Sequence, residues 1–376
     1  MTQVPTSVLD GPGKATSGVG RRTIDTDVHW YIHGGMPALL PYMPSSWRRV
    51  FEMRGTPFGG EAPPPSKFDF PSGSRLRRDA MPPRGGLPGS DAEFARADLL
   101  DRFDMGAVIL SSLEARQQGQ GYCGTDASPV LCAALNDYAI EHWLDVDSRY
   151  RLAMCVSSVD PDAAAAEIRP IGQHDGIAAV YVPVLNIPLG NRHYRPIFAA
   201  AQDAQLPIFL HITALEFSYQ GTPQYSVGWV DNFSERRVAY GLLGPAILNS
   251  LVFSGVFERF PHLNFTFAEF GFTWAPSLMW RMDATWRYAR AGTPWVRKPP
   301  SEYVRERVKF GTQPVDDPND VEQLNQIIAM LGPECLMFST DYPHWDGDTP
   351  GTVLTTLPEA TKKLVFHDNA EGMFRW

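Results

Sequence analysis

The sequence predicts an α/β protein folded as a (β/α)8 TIM-type barrel with long insertions after strands 1 and 5. Eight short apolar runs, bounded by turn residues and rich in β-branched and aromatic side chains, have the composition of strands buried on both faces. Helix-like stretches lie between them, and that alternation favours a closed parallel barrel over an open sheet. From Asp25 to Asp341 the strand-to-strand interval averages roughly 45 residues, against about 30 for a minimal βαβ unit, so some loops must be long.

Residues 1–20, rich in Gly, Ser, Thr and Pro and without periodicity, read as a flexible leader, and residues 21–376 as the barrel. The first strand runs from Arg22 to His29 and leads into a Pro/Gly-rich insertion over 31–89. A helix is expected over Asp91–Met105, with Phe94, Leu99, Leu100 and Phe103 on a charged background and Ser90 and Glu93 spaced as a capping box. Further strands are expected at Ala107–Leu110, Arg151–Val156, Ile177–Val182, Leu206–Leu210, Leu263–Ala268, Arg307–Phe310 and Leu336–Phe338. Ala133–Leu144, Ile197–Gln205, Val238–Phe260, Phe272–Ala289 and Asn319–Leu331 read as helices. The second long loop runs from Thr213 to about Ser234. Loops that follow strands crown the catalytic face of such a barrel, so these two insertions would shape the substrate mouth.

Composition narrows the partners. The 376 residues are 44% hydrophobic and 20% charged, enough to bury a large core. A net charge of −9, from 33 Lys+Arg against 42 Asp+Glu, argues against nucleic acid or an anionic membrane. Cys123, Cys132, Cys155 and Cys335 have no metal-binding spacing and read as reduced thiols. With no signal-peptide core and no apolar stretch of about 18 residues, the expectation is a cytoplasmic protein that acts on a small molecule.

Polar residues at strand ends supply the chemistry. Asp27 and His29 stand at i and i+2 on the first strand, so both point to one side, as two ligands of a divalent metal would. Alone, such a pair is most often hydrogen-bonded and nothing more. His211 ends the fifth apolar run and Asp341 the eighth, and Glu269 follows the sixth. Burying several such groups is costly unless something satisfies them, which makes a site of them.

These residues sit in stretches that resemble a known family. Ile24–His29, Leu206–His211, Ser254–Pro261 with Ala268-Glu269 and Gly271, Phe338-Ser-Thr-Asp-Tyr-Pro-His344 and Asn369–Phe374 are similar to the amidohydrolase superfamily, in its aminocarboxymuconate-semialdehyde decarboxylase-like branch. The resemblance covers about 22–376. It implies a barrel holding one divalent metal through Asp27, His29, His211 and Asp341. Asp27 departs from the commoner His-x-His pattern, and a carboxylate there tilts preference from Zn2+ toward Fe2+ or Mn2+. Dimers are common among the resembling proteins, which leaves a homodimer open.

The expected catalytic groups are Asp341 as proton carrier, Glu269 and His344. Glu269 reads as a fifth ligand, a partner of His211 or a proton shuttle, or else as one half of an ion pair with an Arg such as Arg281. His344 lies three residues past Asp341. For substrate binding the candidates are Trp30, Arg75, Arg77, Arg78, Trp229 and Trp345. The arginines, with Arg84, suit the phosphates of a substrate such as an acyl-CoA. Phe217, Tyr219, Tyr225, Phe233, Trp274 and Trp280 add bulk for a large apolar or aromatic acyl group. The first expectation is therefore a hydrolase that cleaves an ester, thioester, amide or lactone with metal-activated water. Non-oxidative decarboxylation of an aromatic or enoic acid is the alternative, followed by hydration of an unsaturated acid and by a non-catalytic binding barrel. Decarboxylation favours a cationic anchor for the substrate carboxylate, and no Arg stands at a strand end.

Overall fold

The computed structural model describes residues 22–54, 75–212 and 232–376. Eight parallel strands follow one another in sequence order: β1 Ile24–Trp30, β2 Ala107–Ser112, β3 Tyr150–Cys155, β4 Ile177–Tyr181, β5 Ile208–His211, β6 Phe265–Ala268, β7 Val308–Gly311 and β8 Leu336–Met337. Between β8 and β1 the seam is closed by backbone bonds from Thr26 N to Phe338 O (2.9 Å), Asp341 N to Asp27 O (3.1 Å) and His29 N to Tyr342 O (2.7 Å). A (β/α)8 barrel results, with helices packed outside the strands. Nearly all the buried apolar residues form one cluster around the strands, Phe209, Phe265 and Phe267 among the largest.

Each expected strand is present, because a strand buried on both faces must be apolar throughout and so stands out in the sequence. Helix boundaries moved more. The helix expected from Asp91 begins at Ala92, and its cap is the Asp91 side chain, which accepts from Phe94 N at 3.0 Å, so Ser90 is not the capping residue. The helix expected from Ala133 begins earlier, at Ala127. The long helix after β5 runs Phe233–Phe253, capped by Asn232, and breaks at Gly255, whose φ of +72° starts the separate turn Val256–Arg259. No helix among the described residues is long and apolar enough to cross a membrane.

Two local features aim the strand ends. The β1–β2 register shifts between Asp25 and Val28, a bulge that re-aims the stretch carrying Asp27. Glu269 after β6 and Asp341 after β8 adopt left-handed φ values of +62° and +59°. That region is sparsely populated by non-glycine residues and breaks the regular alternation of a strand.

Candidate metal centre and active site

At the carboxyl end of the barrel the lumen holds Asp27 and His29 from β1, His211 from β5 and Asp341 beyond β8. All four are buried, and one donor atom from each lies within 4.8 Å of the other three. His29 Nε2 is 2.8 Å from Asp341 Oδ1 and 3.8 Å from Asp27 Oδ1. His211 Nε2 is 3.4 Å from Asp27 Oδ2 and 3.3 Å from Glu269 Oε2.

The tautomer of His211 tests whether a cation fits here. Its Nδ1 is 2.7 Å from the Ile212 carbonyl, which only accepts, so Nδ1 carries the hydrogen. The Nε2 lone pair then faces two carboxylate oxygens and has no hydrogen-bond partner among the described residues. Three electron-rich atoms turned inward in a buried space repel one another unless a positive charge lies between them. Two imidazoles and two carboxylates are a donor set for a single divalent cation such as Mn2+, Fe2+ or Zn2+.

The two carboxylates are driven apart. Burial works to raise the Asp27 carboxyl, but the His29 and His211 imidazoles and the Ser111 hydroxyl outweigh it and hold the group below the usual carboxylate range. Burial lifts the Asp341 carboxyl above that range despite the hydrogen bond from His29. The His29 imidazole, which burial alone would lower, is held up at about 9 by Asp27 and Asp341. Asp341 Oδ1 lies 2.8 Å from His29 Nε2 and accepts from His344 Nδ1 at 2.6 Å, whereas Oδ2 is buried and has no hydrogen-bond partner among the described residues.

Glu269 stands between the centre and an arginine. Its Oε2 faces His211, and its Oε1 accepts from Arg237 Nη1 at 3.3 Å. The ion-pair partner is thus Arg237 and not Arg281, which lies exposed on the helix Ala275–Ala289. Arg237 also binds Asp346 Oδ2 at 2.7 Å. His344 lies beside the centre, its ring centroid 4.8 Å from that of His29, and burial followed by His29 holds its imidazole well below the usual range.

The other expected contacts divide. Trp30 follows His29 and so takes the opposite face of β1. It is 2% exposed and stacks on Tyr138 at 5.8 Å, which makes it a core residue and corrects its assignment to substrate. Arg75, half-buried, lies on a stretch that pairs antiparallel with residues just past Asp341: Leu76 bridges His344, Trp345 N donates to Arg75 O at 3.1 Å and Arg77 N to Pro343 O at 2.9 Å. Its Nε is buried with no hydrogen-bond partner among the described residues. Arg77 turns the other way, donating to both Asp79 oxygens at 3.0 and 2.7 Å and approaching Asp98 at 3.6 Å, so it braces the loop and is not placed for substrate. Arg78 and Arg84 are exposed. Trp345 is half-buried with its ring 6.3 Å from that of Phe233. Trp274 packs on Phe310 at 5.5 Å, and Trp280 is 58% exposed on the outer helix surface. Trp229, Phe217, Tyr219 and Tyr225 lie outside the described residues.

Ser111 and Arg237 escaped the sequence reading. Ser111 is the residue of β2 in register with His29, so the two side chains share a face. The only sequence signal was a polar pair, Ser111-Ser112, closing an apolar run.

Among solved structures, the chain is similar to 5-carboxyvanillate decarboxylase from Sphingomonas paucimobilis (21% identity, 94% of this chain and 99% of that one, TM-score 0.65). An amidohydrolase from Mycobacterium avium subsp. paratuberculosis aligns at 18% identity over 95% and 100% of the two chains, with a TM-score of 0.68. The 5-carboxyvanillate decarboxylase of Novosphingobium aromaticivorans, in complex with manganese and 4-hydroxy-3-methoxy-5-nitrobenzoic acid, aligns at 18% identity over 96% and 97%, with a TM-score of 0.64. No curated protein matches the chain significantly in sequence. The amidohydrolase family profile matches residues 24–376, a span that opens on the first residue of β1, holds all four inward-facing donors and closes on the C-terminal tryptophan, and the chain belongs to that family.

Proposed function

We propose that the protein is a metal-dependent, non-oxidative decarboxylase of an aromatic acid, and that hydrolysis, the first expectation from the sequence, gives way to the alternative. One observation carries the change. Recognition of an acid needs a cation beside the pocket, and Arg75, absent from any strand end, stands next to His344 with a buried Nε that has no hydrogen-bond partner among the described residues. Phe233 and Trp345 offer an apolar wall for a ring. The similar structures named above include decarboxylases of 5-carboxyvanillate, and one of them holds manganese.

Asp27, His29, His211 and Asp341 would hold the metal, which when bound supplies a Lewis acid for an oxygen of the substrate. The remaining work falls to side chains. Arg75 pairs with the anionic group, and Phe233 and Trp345 fix the plane of the ring. Asp341 carries the proton on Oδ2, since Oδ1 is held by His344. As the bond between ring and carboxylate breaks, its electron pair stays on the ring carbon and takes that proton, so CO2 leaves and one proton is consumed per turnover. Solvent then reprotonates Asp341 at Oδ2, while His344, held against Oδ1, keeps the carboxyl group oriented.

The test is direct. Protein loaded with Mn2+ is incubated with 5-carboxyvanillate or 2,6-dihydroxybenzoate, and separately with aryl esters and thioesters. CO2 release with the matching phenol is the expected result. Ester or thioester cleavage without CO2 from any hydroxybenzoate would return the function to hydrolysis.

A further inference from the structure

We infer that Ser111 is a positioning residue that sets the donor geometry of both β1 ligands through a single hydroxyl, an inference that rests on the metal centre proposed above. Ser111 Oγ lies 3.2 Å from Asp27 Oδ1 and 3.0 Å from His29 Nδ1, and its side chain is buried with both. A hydroxyl has one hydrogen to give. An ionised carboxylate only accepts, so that hydrogen goes to Asp27, and Ser111 Oγ in turn accepts the Nδ1–H of His29. The consequence is a fixed tautomer: with Nδ1 carrying its hydrogen, His29 presents Nε2 to the centre.

The two histidines reach the same state by different means. His211 is fixed by the carbonyl of Ile212, a backbone group that no substitution removes. His29 is fixed by a side chain, and the same side chain restrains Asp27. Register explains why this position serves: His29 and Ser111 are paired residues of adjacent strands, and the bulge in β1 brings Asp27 within reach of the same hydroxyl. Removing the hydroxyl leaves a buried N–H without an acceptor and a buried carboxylate oxygen without its donor. Outer partners of this kind typically govern metal affinity by about 10- to 100-fold.

The experiment compares wild type with Ser111→Ala, Ser111→Thr and the control Ser128→Ala. Ser128 is an equally buried serine whose hydroxyl contacts Ser157 Oγ and the Gln118 carbonyl, away from the centre. Mn2+ affinity is read by titration calorimetry and by the electron paramagnetic resonance signal of the bound ion, with no turnover required, and folding by thermal melts of metal-free protein. Ser111→Ala is expected to bind Mn2+ about 10- to 100-fold more weakly with a near-unchanged metal-free melt, Ser111→Thr to recover most of the affinity, and Ser128→Ala to lose none. Wild-type affinity in Ser111→Ala overturns the role of Ser111 and leaves the centre standing. A loss in Ser128→Ala as large as that in Ser111→Ala also overturns it, because any buried serine would then do. If the wild-type protein takes up no Mn2+, Fe2+ or Zn2+, the centre itself fails.

Discussion

His344 Nδ1 stands 2.6 Å from Asp341 Oδ1, while the other oxygen, Oδ2, has no hydrogen-bond partner among the described residues. The contact leaves one oxygen of Asp341 fixed and the other free to carry a proton. Asp341→Asn preserves the size and one acceptor but removes the titrating group. It should fold with an unchanged circular dichroism spectrum and lose turnover by at least about 10^2- to 10^4-fold, the range of general acid catalysis. Single-turnover CO2 release checks this, and a kcat within a factor of a few of wild type would remove Asp341 from the proton path.

His211→Ala deletes the donor whose Nε2 faces Asp27 and Glu269. Metal analysis by mass spectrometry after dialysis should show stoichiometry falling from near one to near zero. The alanine also relieves the crowding of a lone pair against two carboxylates, so the metal-free variant should melt no lower than metal-free wild type. Unchanged metal content would exclude His211 as a ligand.

Arg75 and Arg77 are two residues apart and are proposed to have opposite roles. Arg75→Ala should raise KM for an aromatic acid about 10- to 100-fold, in line with losing a charge-assisted hydrogen bond, and leave the melting temperature near wild type. Arg77→Ala breaks the contacts with Asp79 and Asp98 and should lower the melting temperature by a few degrees with KM unchanged. Steady-state kinetics beside thermal melts separate them, and equal KM values for the two variants would refute the substrate role of Arg75.

That division marks where the sequence stops informing. The barrel is legible because strands buried on both faces must be apolar from end to end, and Asp27, His29, His211 and Asp341 are legible because polar groups closing such runs need a partner. Ser111 is not, because its role depends on the register between β1 and β2, which no local pattern encodes. Neither is the difference between Arg75 and Arg77, which rests on the groups the folded chain brings within reach of each, Asp79 and Asp98 for Arg77 and Glu114 for Arg75. Trp30 shows the converse: a large aromatic beside a ligand invites a substrate role, yet strand alternation turns it into the core against Tyr138.

Glu114, on the helix Leu113–Gly119 that follows β2, gives the pH dependence. Burial raises its carboxyl from 4.5 to about 7, against the opposing pull of the Ile32 N–H, which donates to Oε2 at 3.0 Å, and of Arg75. The folded state therefore holds a proton that the unfolded chain releases near pH 4.5, and the stability this group lends is present below that pH and lost as pH rises through about 7. The loss across that window is on the order of 3 kcal/mol. Glu114→Gln keeps an acceptor for Ile32 and no longer titrates. It should unfold in urea with a stability close to wild type at pH 4.5 and about 3 kcal/mol above it at pH 8, with the gap opening between those limits. Because every other titrating group is common to both proteins, the difference isolates Glu114, and stability curves that run parallel across the range would show that this carboxyl is ionised at neutral pH in the folded protein.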